Sequence, residues 1–309
     1  SKLTGAGFEP GARSSLWESF LERVLPDGDV RRFVQRAVGL SIVGDVLEQA
    51  LFIPHGNGAN GKTVLVETVS AALGDYAMQT PAETIIASRS TSIPNDVARL
   101  AGTRFVSTSE SEENRRLAES KVKALTGADT ISARFMRGEW FDFRPTFSVW
   151  LLTNHRPLIR GSDEGIWRRI RLIPFTVRIP EHERDPRLQE RLAAELEPVL
   201  GWAIEGLLEY QEIGLAPPPA VLAAVDGYKR ESDILGEFLA DCCELGPDRF
   251  ASSRALYQAF KDWSKAAGEE SMTRTSFGKR LTERGFDQHR TSGGTRGWRG
   301  IALTGGEFE

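Results

Sequence analysis

No other stretch limits the fold of this 309-residue chain as sharply as Gly56-Asn57-Gly58-Ala59-Asn60-Gly61-Lys62-Thr63. It reads G-x-x-x-x-G-K-[ST], the phosphate-binding loop of nucleotide triphosphatases. The flanks suit the pattern. Gln49 to Pro54 is a short apolar run, as in a buried strand, and Val64 to Leu73 has helical spacing and stops at Gly74. The order is strand, glycine loop, helix. Glycines let the backbone turn tightly and aim its N–H groups at phosphate oxygens, and the helix adds the positive end of its dipole. In this reading Gly56 to Thr63 cradle ATP, Lys62 reaches the β- and γ-phosphates, and Thr63 holds Mg²⁺.

Upstream, residues 1–12 read as a tether broken by Gly5, Gly7, Pro10 and Gly11. Helical patterns follow from Ser14 to Val24, from Val30 to Val38 and, more briefly, around Ile42 to Leu47. This first segment, 1–45, suits a packing layer or a collar between subunits. An ATPase domain is expected over 46–215. Within it Ser88 to Pro94 reads as a loop, and Asn95 caps a short helix closed by Gly102. Arg104 to Glu110 reads as a second core strand ending in an acid, with Glu112 and Glu113 just beyond. Carboxylates at a strand end suit Mg²⁺ binding and polarisation of an attacking water. Glu110 is the expected metal-side and catalytic acid, with Glu112 as the second candidate.

A helix from Arg115 to Leu125 carries Lys121 and Lys123. Two alternating stretches then flank a hairpin tip at Met136 to Trp140, where Arg134, Arg137 and Arg144 surround an aromatic ring. Cations beside an aromatic suit a nucleic-acid contact. Thr146 to Asn154 reads as a third core strand, and Asn154 at its end can orient a water or sense the γ-phosphate. Arg168 and Arg169 lead into a fourth strand. An arginine that reaches a neighbour's γ-phosphate is worth about 10³ to 10⁵ in rate.

Taken together, these motifs resemble the helicase part of phage and plasmid primase–helicases, within helicase superfamily three. Gly56 to Thr63 matches that family's first motif, and Phe105 to Glu112 looks like its second, with Ser111 between the acids. Lys121 through Met136 looks like the approach to its DNA-contacting hairpin. Trp150 to Pro157 resembles the third motif with Asn154 as sensor, and Gly165 to Arg169 resembles the arginine-finger segment. The resemblance implies an AAA+-like P-loop core with a mainly parallel sheet, assembled as a ring, as in a hexamer. It also implies translocation on single-stranded DNA from 3′ to 5′ and a priming domain or primase, upstream or in trans.

The run Ala216-Pro217-Pro218-Pro219 marks a boundary. Over 220–309, helices are expected at Ile234 to Glu244, Ser252 to Ala266 and Thr275 to Arg284, then two strands within Asp287 to Leu303. That is a winged-helix pattern. Basic residues gather there, Lys279, Arg280 and Arg296 among them, although the whole chain carries a formal charge of −4. A local basic stripe suits a DNA contact. The adjacent Cys242 and Cys243 read as core residues of a helix, free thiols in a reducing compartment. With no run of 18 apolar residues and no signal peptide, no membrane contact is expected. The chain does not begin with Met, as in a piece of a longer protein. Richness in Arg, Ala and Gly points to the cytoplasm of a bacterial host. The leading functional reading is an ATP-driven DNA helicase acting on single-stranded or forked DNA. A non-unwinding ATPase switch and a small-metabolite kinase are the alternatives.

Overall fold

The computed structural model describes residues 1–87, 95–110, 112–159, 164–268 and 271–304. The loop expected at Ser88 to Pro94 and the position of Ser111 lie outside them. The chain divides into two compact units, Ser1–Tyr228 and Lys229–Glu309. The division falls within a helix, later than the proline run suggested.

The first unit opens with α1 (Ser15–Val24), capped by the Ser14 hydroxyl, which accepts from the Trp17 N–H. Next comes α2 (Gly28–Val43), whose first N–H groups donate to the Asp27 carboxylate. The expected third helix does not form. Gly44 ends α2 in the left-handed region at φ 81°, and a side chain there would overlap the Arg104 guanidinium. Then follow β1 (Leu51–His55), α3 (Lys62–Leu73), β2 (Ala77–Gln79), α4 (Asn95–Ala98), β3 (Phe105–Glu110) and α5 (Glu119–Leu125). After β4 (Ile131–Arg134), β5 (Trp140–Phe143), β6 (Ser148–Thr153), α6 (Glu164–Trp167) and β7 (Ile170–Pro174), the unit closes with α7 (Leu188–Ala193), α8 (Leu196–Ile213) and most of α9 (Pro219–Glu231).

Five strands make one sheet in the order β2-β3-β6-β1-β7, and every pairing in it is parallel. This is the α/β core with a parallel sheet that the motifs imply. Apolar residues cover both faces, as a parallel sheet requires. On one face the rings of Phe52, Trp150 and Phe105 stack at 4.7 and 5.3 Å between centroids. They share a cluster with Trp17, Phe33, Leu65 and Val199, from α1, α2, α3 and α8. The first two helices are thus part of the core layer. Trp150 also donates to the Ser41 hydroxyl at 3.0 Å, so its indole N–H is not stranded. Leu51, Ile53, Val106 and Leu151 fill the other face with Val122, Ile166 and Tyr228. Burial of each large side chain contributes about 1.5–3 kcal/mol.

The expected tether at residues 1–12 is partly docked. The Gly5 N–H donates to the Ala72 carbonyl at 3.0 Å, and the Asp75 N–H donates to the Leu3 carbonyl at 2.9 Å, against the end of α3. A Cβ on Gly5 would lie 1.9 Å from the Ala71 oxygen, so only glycine closes this seam.

The second unit has its own core around Phe238, Phe260, Phe277 and Trp298. Its elements are α10 (Ile234–Cys242), β8 (Cys243–Ser252), α11 (Ser253–Ala266), α12 (Arg274–Glu283), β9 (Asp287–Arg290) and β10 (Arg296–Leu303). The three strands pair antiparallel as β8-β10-β9. The strand β8 was not expected. The helical cysteine pair is corrected with it: Cys242 ends α10, Cys243 begins β8, and both are half-buried.

Candidate nucleotide site

Parallel strands bring all their C-terminal ends to one edge of the sheet, and that edge holds the phosphate loop. Glu110 pairs in register with Thr153, and Thr153 with His55. The acid of β3, the amide after β6 and the loop after β1 therefore come together. Gly58 and Gly61 have φ 86° and 80°, and Ala59 also has positive φ. These values turn the loop sharply into α3. A Cβ on Gly56 would lie 2.3 Å from both the Asn60 amide and the Phe175 carbonyl, and one on Gly61 2.4 Å from Val24. The loop is thus wedged between β7 and α1.

Lys62 is buried and makes three bonds. Its Nζ donates to the Gly56 carbonyl at 2.6 Å, to Asn60 Oδ1 at 2.9 Å and to Asn154 Oδ1 at 3.1 Å. The predicted sensor amide and the predicted lysine are in direct contact. Burial pulls the Lys62 ammonium down to about 8. His55, the last residue of β1, was missed by sequence reasoning. Burial, then the charges of Arg156 and Lys62, hold its imidazole down to about 4, so it stays neutral at pH 7. Its position directly before the glycine loop was the available signal.

Glu110 is buried, whereas the Glu112 side chain is 67% exposed. Glu110 Oε1 accepts from the Glu112 N–H at 2.9 Å, and its Oε2 lies 3.8 Å from Arg115. Arg115 also bonds Glu112 at 2.6 Å. This arginine was expected to begin a helix. Instead α5 starts at Glu119, and Arg115 is held among acids. Beside α3, a cavity of about 400 Å³ is lined by Thr63, Glu67, Gln79, Ser107 and Ser109, among others. Its lining takes in Ser109 but not Glu110. The Thr63, Ser107 and Ser109 hydroxyls and the Glu67 carboxylate of its lining are oxygen atoms, the kind of donor that Mg²⁺ takes.

Arg168 and Arg169 separate cleanly. Arg169 is buried and donates from Nε to Thr126 Oγ1 at 3.2 Å, and from its guanidinium to the Gly165 carbonyl. Arg168 is exposed, with Nη2 donating to Gln49 at 3.0 Å. Both precede β7, and the Arg169 carbonyl accepts from the Leu51 N–H that begins β1. They stand at the opposite edge of the sheet from Lys62, across a five-residue strand, or about 17 Å.

The hairpin β4–β5 pairs Arg134 with Trp140, and the Arg134 guanidinium lies 4.9 Å from the Trp140 ring centre. Phe135, Met136 and Trp140 are all exposed. Arg137 at the tip has φ 61°, a strained value for a residue with a side chain. Nearby on α5, Lys121 is exposed and donates to the Glu83 carbonyl at 2.9 Å, while Lys123 is half-buried. In the second unit Lys279 and Arg296 line a cleft between α12 and the β9–β10 hairpin. Arg280, on the same helix, is half-buried and does not.

Comparison with known proteins finds relatives among proteins of large DNA viruses. A protein of Acanthamoeba polyphaga mimivirus named as a putative helicase is 27% identical over 268 residues, covering 80% of this chain and 28% of its own length. One from Frog virus 3, named likewise, is 27% identical over 271 residues, with the same two shares. One from African swine fever virus, named as a putative primase, is 26% identical over 186 residues, 58% of this chain and 19% of the relative. The chain resembles the primase–helicases. It spans less than a third of the length of these viral relatives. They belong to large DNA viruses, whereas the motifs had pointed to phage and plasmid proteins. Residues 230–296 match the family described as Poxvirus D5 protein-like. Among solved structures, the apo NrS-1 C terminal region (305-718) superposes with TM-score 0.57 at 11% identity, over 98% of this chain and 79% of that one. That likeness is one of fold. No described helix is long and apolar enough to cross a membrane.

Proposed function

We propose that this chain is the ATP-driven motor portion of a replicative DNA helicase, with each hydrolysis site shared between two copies of the chain. The observation that carries the reading is the separation of Arg168 from Lys62 by the full length of β1. An exposed arginine there cannot serve its own phosphate loop, but it can serve a neighbour's. Repetition of that head-to-tail contact generates a ring, here taken as a hexamer.

The residues divide the work as follows. Backbone N–H groups of Gly56 to Gly61 and the Lys62 ammonium bind the phosphates. Thr63 would hold Mg²⁺, with Glu110 at the end of the neighbouring strand, and the ion would supply charge neutralisation on the phosphate oxygens. Glu110, buried and the nearer of the two acids to the sheet edge, prepares the attacking water. Glu112 serves to hold Arg115. Asn154 orients the water once Lys62 turns toward phosphate. Arg168 from the neighbour stabilises the charge that develops in transfer. The hairpin at Arg134, Arg137 and Trp140 grips single-stranded DNA by stacking and by phosphate contact, with Lys121 and Lys123 behind it. Movement from 3′ to 5′ and a priming partner follow from the family resemblance.

The test is ATP hydrolysis with and without single-stranded DNA, together with strand displacement on 3′-tailed and 5′-tailed duplexes. Stimulation with displacement of the 3′-tailed substrate supports the helicase. Stimulation without displacement favours an ATPase switch. Hydrolysis indifferent to DNA sinks both and favours a small-metabolite kinase.

A further inference from the structure

The second unit carries a cleft of about 680 Å³ between α12 and the β9–β10 hairpin. We propose that this cleft binds the phosphate backbone of duplex DNA, through Arg274, Lys279, Arg290 and Arg296, and that it does so without nucleotide. The four cations are exposed and converge on one concavity from two elements. Ser253, Thr275 and Gln288 add uncharged donors, and no carboxylate is part of the lining. On a chain with net charge −4, such a surface concentrates positive potential against the overall field. Lys279 pairs with Glu283 at 3.6 Å along the same helix, outside the lining.

One feature chooses duplex over single strand. The His289 imidazole is exposed, but the large aromatic side chains of the cleft, Phe277 and Trp298, are 2% and 3% exposed and belong to the core. They present no platform on which an unpaired base can stack. The exposed aromatics of the β4–β5 hairpin do. A duplex hides its bases and offers phosphates, which is what the cleft is equipped to meet.

Gly278, in the middle of α12 and on the cleft wall, bears on the phosphate contact itself, which either form of DNA offers. A glycine inside a helix costs about 1 kcal/mol against alanine. A Cβ built there meets nothing closer than 3.4 Å, the edge of Trp298, which is ordinary contact. Packing does not demand a glycine at this position. Close approach of the helix backbone to a bound phosphodiester chain does.

The experiment uses the full chain without nucleotide, measuring affinity for a short duplex and for a single strand of equal length across a salt series. Lys279→Ala combined with Arg296→Ala is expected to weaken duplex binding about tenfold, to lower the salt slope by about 1.8, and to leave single-strand binding within about twofold. Gly278→Ala is expected to raise the thermal midpoint yet weaken duplex binding. A retained cooperative thermal transition of the second unit, which has its own core, reports that its fold is intact in these variants. Unchanged duplex affinity in the double variant or in Gly278→Ala overturns the proposal, as does an equal loss on single strands. The outcome is separable from the motor reading, since a protein that never unwinds DNA can still pass.

Discussion

Lys62 and the cations of the C-terminal cleft are both proposed to meet phosphate, by opposite means. Lys62 is one buried charge, fixed by three acceptors between 2.6 and 3.1 Å, in a loop where an added methyl group has no room. Arg274, Lys279, Arg290 and Arg296 are several exposed charges in an open cleft. The first arrangement selects a small ligand by geometry. The second attracts a long polyanion by number, and water and salt screen each contact. A site of the first kind fails at once when one residue changes, and one of the second kind erodes in steps.

The largest contrast is expected from Lys62→Ala. Hydrolysis should fall by about 10³-fold or more, while binding of single-stranded and duplex DNA stays within about twofold. Loss of both activities would merge the two regions into one site. Arg168→Ala should lower hydrolysis by about 10³-fold with nucleotide affinity retained, and mixing it with Lys62→Ala subunits should restore some turnover. Failure of every mixing ratio would refute a site shared between copies. Arg169→Ala should differ in kind. Removal of its buried bonds to Thr126 and Gly165 should lower the thermal midpoint by roughly 4–8 °C.

A smaller effect is expected from pH. Phosphate binding needs Lys62 charged, and burial sets its free-state value at about 8. Nucleotide affinity should therefore be flat below that pH and fall above it, by about tenfold between pH 7 and 9. Lys62→Arg, which stays charged, should remove the slope; a slope that persists would assign the titration elsewhere. The mildest change is Trp140→Ala, expected to weaken single-strand binding about tenfold or less and to spare the duplex. If the duplex suffers equally, the hairpin and the cleft are not independent contacts.

Much of this contrast was legible in the sequence, and for identifiable reasons. A glycine loop between an apolar run and a helical one has a single structural solution, so β1, the loop and α3 fall where the motif places them. The polar strand ends at Glu110 and beside Asn154 were readable because an apolar start, Phe105-Val106 in one and Val149 to Leu152 in the other, runs out into polar residues. Pairing was less visible. That Asn154 contacts Lys62, or that Ser109 and not Glu110 lines the cavity with Thr63, depends on which face of a strand each residue takes beside its neighbours. The start of α5 was misplaced because Arg115 has good helix propensity and is captured instead by Glu110 and Glu112. The strand β8 contains Gly246, Pro247 and Asp248, residues that argue against a strand locally. They fall at the irregularity between the pairs Arg299–Phe250 and Ile301–Leu245, and pairing with β10 on either side holds the strand together. The N-terminal glycines read as flexibility, yet Gly5 is glycine because the end of α3 presses on it.

That last seam has a mechanical meaning. The helix α3 runs twelve residues from the phosphate loop to the docking point of Leu3 and Gly5, a stiff rod about 18 Å long. Traction on the first residues of the chain arrives at one end of this rod, and the other end carries Lys62. Whatever tugs there is felt by the glycine loop along a single axis, with no detour through the sheet.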